Sequence, residues 1–462
     1  MKFLKKVFSY AIGNGLSKFI AVIILPIYTN NLNPEEYGKV DLSYYTVSII
    51  VSFVFMECWT ALLRFIYDDY TEENRKKVFS NIVLLTMLLF IPYIIIQYIV
   101  SVFIASEFAY LSCLYGIFYM FLQILQMYAR AIKKSRDFVV SGIISSLVQL
   151  ICAYVMIIRL KIGSSTILVA PTIGSIISCL YLIYTTKCLK DISFKCYDKD
   201  LLKKMCVFCI PLAFNSIAFW AMNNINRYFA AYFIGYEASS FVSIASKLTM
   251  VITLAASVYS LAWQESAFEN SNNNNKNSIY TKMFSLYITI FSIATAFSII
   301  FVKLIFPIII GQEYNETLNI LPTYFIAVYF SGISSFLGQI YGAEKKTITL
   351  LTSTIIGTII NIVVVALLIN KIRIMIIPIG SLCGYLSCVI MRYHNLQKIV
   401  KINYNKEDIL KAVVIIAISI GMFHFQENLL YFVFFAIILM IMIYLLYRDI
   451  IKETLNKVLK GE

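Results

Sequence analysis

The chain has 462 residues, of which 60% are hydrophobic and 14% charged, and its mean hydropathy is +0.80. Soluble globular proteins carry about 25% charged residues, so the composition excludes a soluble enzyme, a disulfide scaffold and a disordered chain. In so apolar a chain the net charge of +14 points to basic cytoplasmic loops, not to nucleic acid as a partner.

A helical membrane span needs roughly 20 apolar residues, and fourteen blocks meet that measure. In chain order they lie near 7–29, 42–63, 79–103, 109–128, 139–158, 165–186, 207–233, 240–262, 283–305, 318–341, 350–369, 375–391, 412–426 and 429–446. The first follows Lys2, Lys5 and Lys6 with no A-x-A cleavage site behind it, so it reads as a retained helix whose amino end is cytoplasmic. With that orientation, 30 of the 39 Lys and Arg fall in cytoplasmic segments, six fall outside, and Lys18, Arg227 and Lys247 lie within spans. A bias of that size, alternating loop after loop, predicts an all-α polytopic membrane protein with both termini in the cytoplasm. No outside segment is large enough for a catalytic domain. Function is therefore expected among the helices.

Soluble-site chemistry is sparse. Asp198-Lys199-Asp200 has the DxD form of a metal–nucleotide site, but stands in a short basic loop and reads as solvated. Cys206 and Cys209 form a lone CxxC without a second pair. The ten cysteines are scattered through apolar blocks, and the two histidines, His394 and His424, are too few for a His-based metal centre. No G-x-x-x-x-G-K-[ST] or G-x-S-x-G occurs. The expectation is a protein with no metal, no cofactor, no catalytic residues and no enzymatic activity.

Ionisable groups at bilayer depth are costly and commonly face a wet path or a partner. Lys18 lies mid-span with Asn14 one turn earlier. In the seventh span Ser216, Trp220, Asn223 and Arg227 recur at helical spacing, with Asn215, Asn224 and Asn226 beside them. Lys247 lies in the eighth span. Glu57, in the second, is seven residues before Arg64, so a continuous helix puts both on one face. Gln97, Gln123, Gln126, Gln149, Gln339 and Asn361 read as helix–helix hydrogen-bonding groups. Within the spans Lys18, Arg227 and Lys247 stand against Glu57 alone, and a basic cavity of low dielectric attracts anions. A substrate with a phosphate or pyrophosphate head is expected.

The stretch Leu25-Pro-Ile-Tyr-Thr-Asn-Asn-Leu-Asn-Pro-Glu-Glu-Tyr-Gly38-Lys-Val-Asp41-Leu resembles the start of the polysaccharide-exporter branch of the multidrug/oligosaccharidyl-lipid/polysaccharide (MOP) superfamily. So do Ala61-Leu-Leu-Arg64-Phe with the basic loop to Lys77, and Asn226-Arg-Tyr-Phe-Ala-Ala-Tyr-Phe-Ile-Gly235 running into Val242-Ser-Ile-Ala-Ser-Lys247-Leu. The chain departs from that pattern at Asn226, where relatives commonly carry Asp, and at Ser240, where they commonly carry Gly. A shift of 202 residues sets Glu35 on Glu237, consistent with two pseudo-symmetric six-helix lobes, a recognised transporter plan. The lobes are expected at 1–205 and 206–410, with two further helices and a cytoplasmic tail in 411–462. The resemblance implies a bacterial cytoplasmic-membrane flippase of the Wzx type, moving undecaprenyl-pyrophosphate-linked oligosaccharide of O-antigen, capsule or exopolysaccharide to the outer leaflet. On that reading Lys18, Arg227 and Lys247 hold the pyrophosphate and Arg64 recruits it at the cytoplasmic mouth. Trp220 and the span-seven asparagines, Asn223 among them, contact sugar beside Asn14. Glu57 would be a proton or sodium site coupling transport to an ion gradient. Implied partners are the lipid-linked glycan, membrane lipids, and the polymerase and chain-length regulator of the same route. A lipid II flippase and a multidrug cation antiporter are the nearest alternatives, with a membrane glycan polymerase further off.

Overall fold

The computed structural model describes residues 20–425 apart from 271, 272, 345 and 404, together with residues 434, 437, 438, 440 and 441. Among the described residues every regular element is a helix. The chain divides into two compact units between Ser243 and Ile244, whereas the block pattern sets the lobe boundary at 205/206.

The first unit holds α1 (Ile20–Thr29), α2 (Pro34–Val54), α3 (Trp59–Asp68), α4 (Glu72–Ala105), α5 (Ala109–Ala131), α6 (Ser135–Tyr154), α7 (Thr166–Thr186) and α8 (Lys199–Phe233). The family-like stretch at 33–38 has a local physical reading. Asn33 caps α2, its side chain accepting from the Glu36 N–H at 2.8 Å, Pro34 stands in the first turn, and Glu35 and Glu36 follow. An Asn cap, an early proline and acids at the positive end of the helix dipole are independent start signals that agree. Gly38 is there for a different reason. A Cβ on it would lie 2.0 Å from the Tyr236 carbonyl oxygen, so α2 and the start of α9 (Tyr236–Leu248) touch backbone to backbone. Gly235, with φ +137, makes the turn that feeds α9. Gly38→Ala must push these segments apart and is expected to cost about 1–3 kcal/mol, as overpacking does. Thermal unfolding in detergent checks it; an unchanged midpoint would refute the close approach.

The block at 42–63 is not one helix. α2 and α3 are bent by 40° across residues 55–58, where Met56 and Glu57 take φ of 53 and 50. Neither is glycine, so the left-handed backbone is strained and must be held by its surroundings. The Thr60 hydroxyl helps, donating to the Glu57 carbonyl at 2.9 Å. Elsewhere in this unit small and polar residues join helices. Gln126 donates to Ser141 at 3.1 Å and Ser178 to the Ser141 carbonyl at 2.9 Å, as expected of interhelical glue, whereas Gln97 donates within its own helix to Ser101.

The second unit holds α10 (Met250–Glu269), α11 (Lys276–Ile309), α12 (Thr317–Ala343), α13 (Thr347–Ile372), α14 (Ile376–Leu396) and α15 (Lys406–Phe425), entered through α9. Its core is aromatic: Trp263 stacks on Phe336 at 4.8 Å and Tyr287 on Phe291 at 4.3 Å. α13 and α14 approach through Gly380 and Gly384, where an added Cβ would come within 3.0 Å of Asn361. Arg392, near the end of α14, is buried. Its guanidinium donates to Ser353 Oγ, the Ser334 carbonyl and hydroxyl, the Leu350 carbonyl and Thr354 Oγ1 at 2.7–3.3 Å. The sequence places it in a basic cytoplasmic segment; instead it ties α12, α13 and α14 together.

Among the described residues, seven helical stretches are long and apolar enough to cross a membrane, or nine with the two bent pairs, α2–α3 and α9–α10. Two of them, Glu72–Ala131 and Ile348–Leu396, contain two helices each. A helix or bent pair thus covers each predicted block from 42–63 to 412–426. The block at 7–29 is described only from Ile20, and 429–446 lies largely outside the described residues. The protein is a multi-pass, all-α membrane protein.

Candidate substrate site

A buried charged contact in the first unit joins α2 to α8. Asp41 and Arg227 are both buried, side chains 1% and 4% exposed, with Arg227 Nε 3.8 Å from Asp41 Oδ2. The guanidinium carbon lies 3.8 Å from the Tyr45 ring centroid, and Arg227 also donates to Asn224 Oδ1. A lone buried charge costs several kcal/mol, and an opposite charge at this distance offsets part of that penalty. The aromatic face adds a further attraction. The sequence presents Arg227 as an unmatched cation within the spans; the structure corrects this, because Asp41 of α2 stands beside it. The Asn33 cap starts α2 at Pro34, eight residues ahead of the predicted span, and so carries Asp41 two turns inside the helix. The cap was the signal that could have revealed this acid.

A polar, aromatic face continues from that pair. Tyr228 shares a hydrogen bond with Thr46 at 2.8 Å, and the Trp220 indole N–H donates to Ser48 at 3.2 Å. Trp220 and Tyr228 rings lie 5.6 Å apart. Tyr44 stacks on Tyr115 of α5 at 5.1 Å, and Tyr119 follows at 5.8 Å from Tyr115. At the helix break the Glu57 carboxylate accepts from Ser52 and Ser216. Tyr44, Tyr45, Ser48, Ser52, Glu57, Tyr119, Ser216, Trp220 and Asn224 are half-buried, neither sealed in the core nor fully open. Such a face offers hydroxyl and amide partners beside flat rings, an arrangement suited to a polar ligand with apolar faces.

The remaining predicted positions scatter. Asn223 is exposed and donates to the Phe219 carbonyl at 2.7 Å. Arg64 is exposed on α3 and pairs with Asp68 at 2.8 Å. The expected shared face of Glu57 and Arg64 is overturned, because the break at 55–58 interrupts the helical register between them. Lys247 lies near the end of α9, half-buried, beyond the division at 243/244. Asn14 and Lys18 lie outside the described residues.

The soluble-type motifs have structural duties. Asp198 caps α8, accepting from the Asp200 and Leu201 N–H groups, and pairs with Lys77 at 2.6 Å. The hydrogen bond from Lys77, then those from the backbone, pull its pKa down to about 2. Cys206 and Cys209 are free thiols, and Cys209 touches the Thr60 hydroxyl at 3.9 Å. Among the described residues no cluster of His, Cys, Asp and Glu could hold a metal.

The first unit is thus a bundle of membrane-length helices with a half-buried polar, aromatic face on α2, α5 and α8. A family model for polysaccharide biosynthesis proteins matches residues 3–268, more than half the sequence and the whole of this face, and the chain belongs to that family. The resemblance read at 25–42 and 226–248 is thereby confirmed. No curated protein matches the sequence. Among solved structures, the lipid II flippase MurJ in an inward closed conformation is similar over 97% of this chain and 99% of its own, with 15% identity and a TM-score of 0.71. An inward-facing multidrug resistance MATE transporter of the MOP superfamily is similar over 84% and 95%, with 13% identity and a TM-score of 0.69. A MOP superfamily transporter from Pyrococcus furiosus is similar over 86% and 95%, with 13% identity and a TM-score of 0.60. These likenesses, all at 15% identity or below, show a fold shared with those proteins.

Proposed function

We propose that this protein is a flippase for oligosaccharide repeat units linked to undecaprenyl pyrophosphate, carrying them by alternating access from the inner to the outer leaflet of a bacterial cytoplasmic membrane, both of its own termini lying on the cytoplasmic side. The observation that carries the reading is the half-buried face of α2, α5 and α8, where tyrosines and Trp220 surround the Arg227–Asp41 pair in a chain of the polysaccharide biosynthesis family. Aromatic rings suit the C–H faces of sugars, and the hydroxyl and amide groups suit their OH groups. Lys18, Lys247 and Arg227 serve the pyrophosphate, Arg227 without a net charge of its own while Asp41 balances it. Arg64, exposed on α3 and paired there with Asp68, recruits the anionic head at the membrane surface. Glu57, in a broken helix at bilayer depth, occupies the kind of place where transporters hold coupling ions, here a proton or sodium.

The test is flipping of a fluorescent undecaprenyl-pyrophosphate glycan in proteoliposomes. Lys18→Ala, Arg227→Lys and Trp220→Ala are each expected to lower the rate about tenfold, the worth of one strong hydrogen bond or stacking contact. Glu57→Gln is expected to leave downhill flipping intact and to remove its stimulation by an imposed ion gradient. Wild type that moves lipid II but not the oligosaccharide lipid would transfer the assignment to peptidoglycan precursor. Efflux of cationic drugs without lipid flipping would transfer it to multidrug transport.

A further inference from the structure

Away from that polar face, the first unit carries a cavity of about 570 Å³ between α4, α5, α7 and the 188–192 segment, within the usual size of a small-ligand site. Phe79, Met87, Phe121, Leu180, Leu189 and Ile192 are among its walls. Thr86 is a polar wall residue, but its hydroxyl donates to the Ile82 and Val83 carbonyls of its own helix. Met87, Phe121, Leu180 and Leu189 are exposed, so the slot opens sideways on the lipid-facing surface. At one end the walls run into a basic rim. Lys187 and Lys190 are exposed on either side of the wall residues Cys188 and Leu189, and Lys134, also exposed, donates to the Thr185 carbonyl.

Acids at this rim are engaged. Arg75 holds Asp191 through two hydrogen bonds of 2.9 and 3.1 Å, Tyr128 donates to the same carboxylate, and Tyr181 donates to Asp137 at 3.1 Å beside Arg136. The positive-inside bias sets this rim at the cytoplasmic surface, where anionic headgroups draw lysines. We propose that the slot is a binding site for an anionic glycerophospholipid, one acyl chain lying between α4, α5 and α7 and the phosphate resting on Lys134, Lys187 and Lys190. An undecaprenyl tail is several times longer than one acyl chain and exceeds the cavity, so the slot is separate from the transported substrate. Its occupant tethers the 188–192 segment to the membrane.

The test uses the full-length protein in nanodiscs doped with phosphatidylglycerol carrying a diazirine on one acyl chain, or with the matching phosphatidylcholine. Adducts are mapped after proteolysis. Adducts at 79–90, 118–125 and 176–192, several-fold more abundant with phosphatidylglycerol, are the expected result. Lys187→Gln with Lys190→Gln should lower the phosphatidylglycerol adducts about tenfold, at an unchanged melting midpoint. Leu180→Trp, which fills the slot, should lower adducts from both lipids. Equal labelling by the two lipids, or adducts confined to other segments, would overturn the proposal. Displacement of the adducts by added undecaprenyl pyrophosphate would overturn it too, by assigning the slot to the substrate.

Discussion

Asp41→Ala is expected to destabilise the protein by about 3–5 kcal/mol, because it strands the Arg227 guanidinium in the bilayer core without its carboxylate. Both side chains are almost fully buried and the closest N–O approach is 3.8 Å. The penalty for the single change is therefore mostly the desolvation of the charge left behind, not the attraction lost. Arg227→Ala should cost a similar amount for the mirrored reason. Asp41→Leu with Arg227→Met removes both charges and fills their volume, and should recover most of the stability. That non-additivity is the signature of a direct pair. Thermal unfolding of the four proteins in one detergent reads it. Single variants that melt with wild type, or a double variant as weak as the sum of the singles, would show that the two groups do not act together. On the proposed function the double variant folds and fails to flip the glycan lipid, which separates the stability of the pair from its use in transport.

Arg392→Ala is expected to destabilise the second unit by about 2–5 kcal/mol, because it leaves a cavity and several buried acceptors without a donor. The side chain is 6% exposed and its partners are two hydroxyl-bearing residues of α13, the Leu350 carbonyl, and both the hydroxyl and carbonyl of Ser334 on α12. All are neutral. The planar fork supplies a donor to each, and the small pocket above Gly338 leaves room for it, an added Cβ there reaching 3.3 Å from Nη1. Arg392→Lys keeps the charge but brings three donors in a different geometry, so it should cost about 2 kcal/mol and not restore the wild-type midpoint. A lysine variant that melts like wild type would show that charge alone matters at this position.

The two residues illustrate different limits of sequence reading. Arg227 is conspicuous as a cation in an apolar block, and the structure places it at a buried polar contact. Its partner is inconspicuous, since Asp41 falls one residue before the apolar block, where hydropathy alone reads loop. Hydropathy reads Arg392 as a loop charge for the same reason, yet α14 runs on to Leu396 and buries it. Hydropathy finds where apolar residues begin, while hydrogen bonding decides where a helix begins, and polar residues collect in the difference. Glu57 shows a third limit. Its supposed face with Arg64 assumed an unbroken helix, and nothing in Phe55-Met-Glu-Cys58 announces two left-handed residues in succession.

What the sequence by itself determined is set by local and bulk physics. A segment of about 20 apolar residues has to cross the bilayer, and the positive-inside bias sets the alternation of its loops. Cap chemistry at Asn33–Gly38 starts a helix wherever that string occurs. These fixed the all-helical membrane class and the order of nearly every helix. Tertiary structure alone decided that α2 and α3 break at Glu57, that Asp41 meets Arg227, and that Arg392 points inward. Those outcomes depend on how each helix is rotated and crossed against its neighbours. In a bilayer, where lipid is as apolar as a leucine face, that rotation is chosen by small residues such as Gly38 and by the pairing of buried polar groups, interactions between residues distant in the chain that no local window contains.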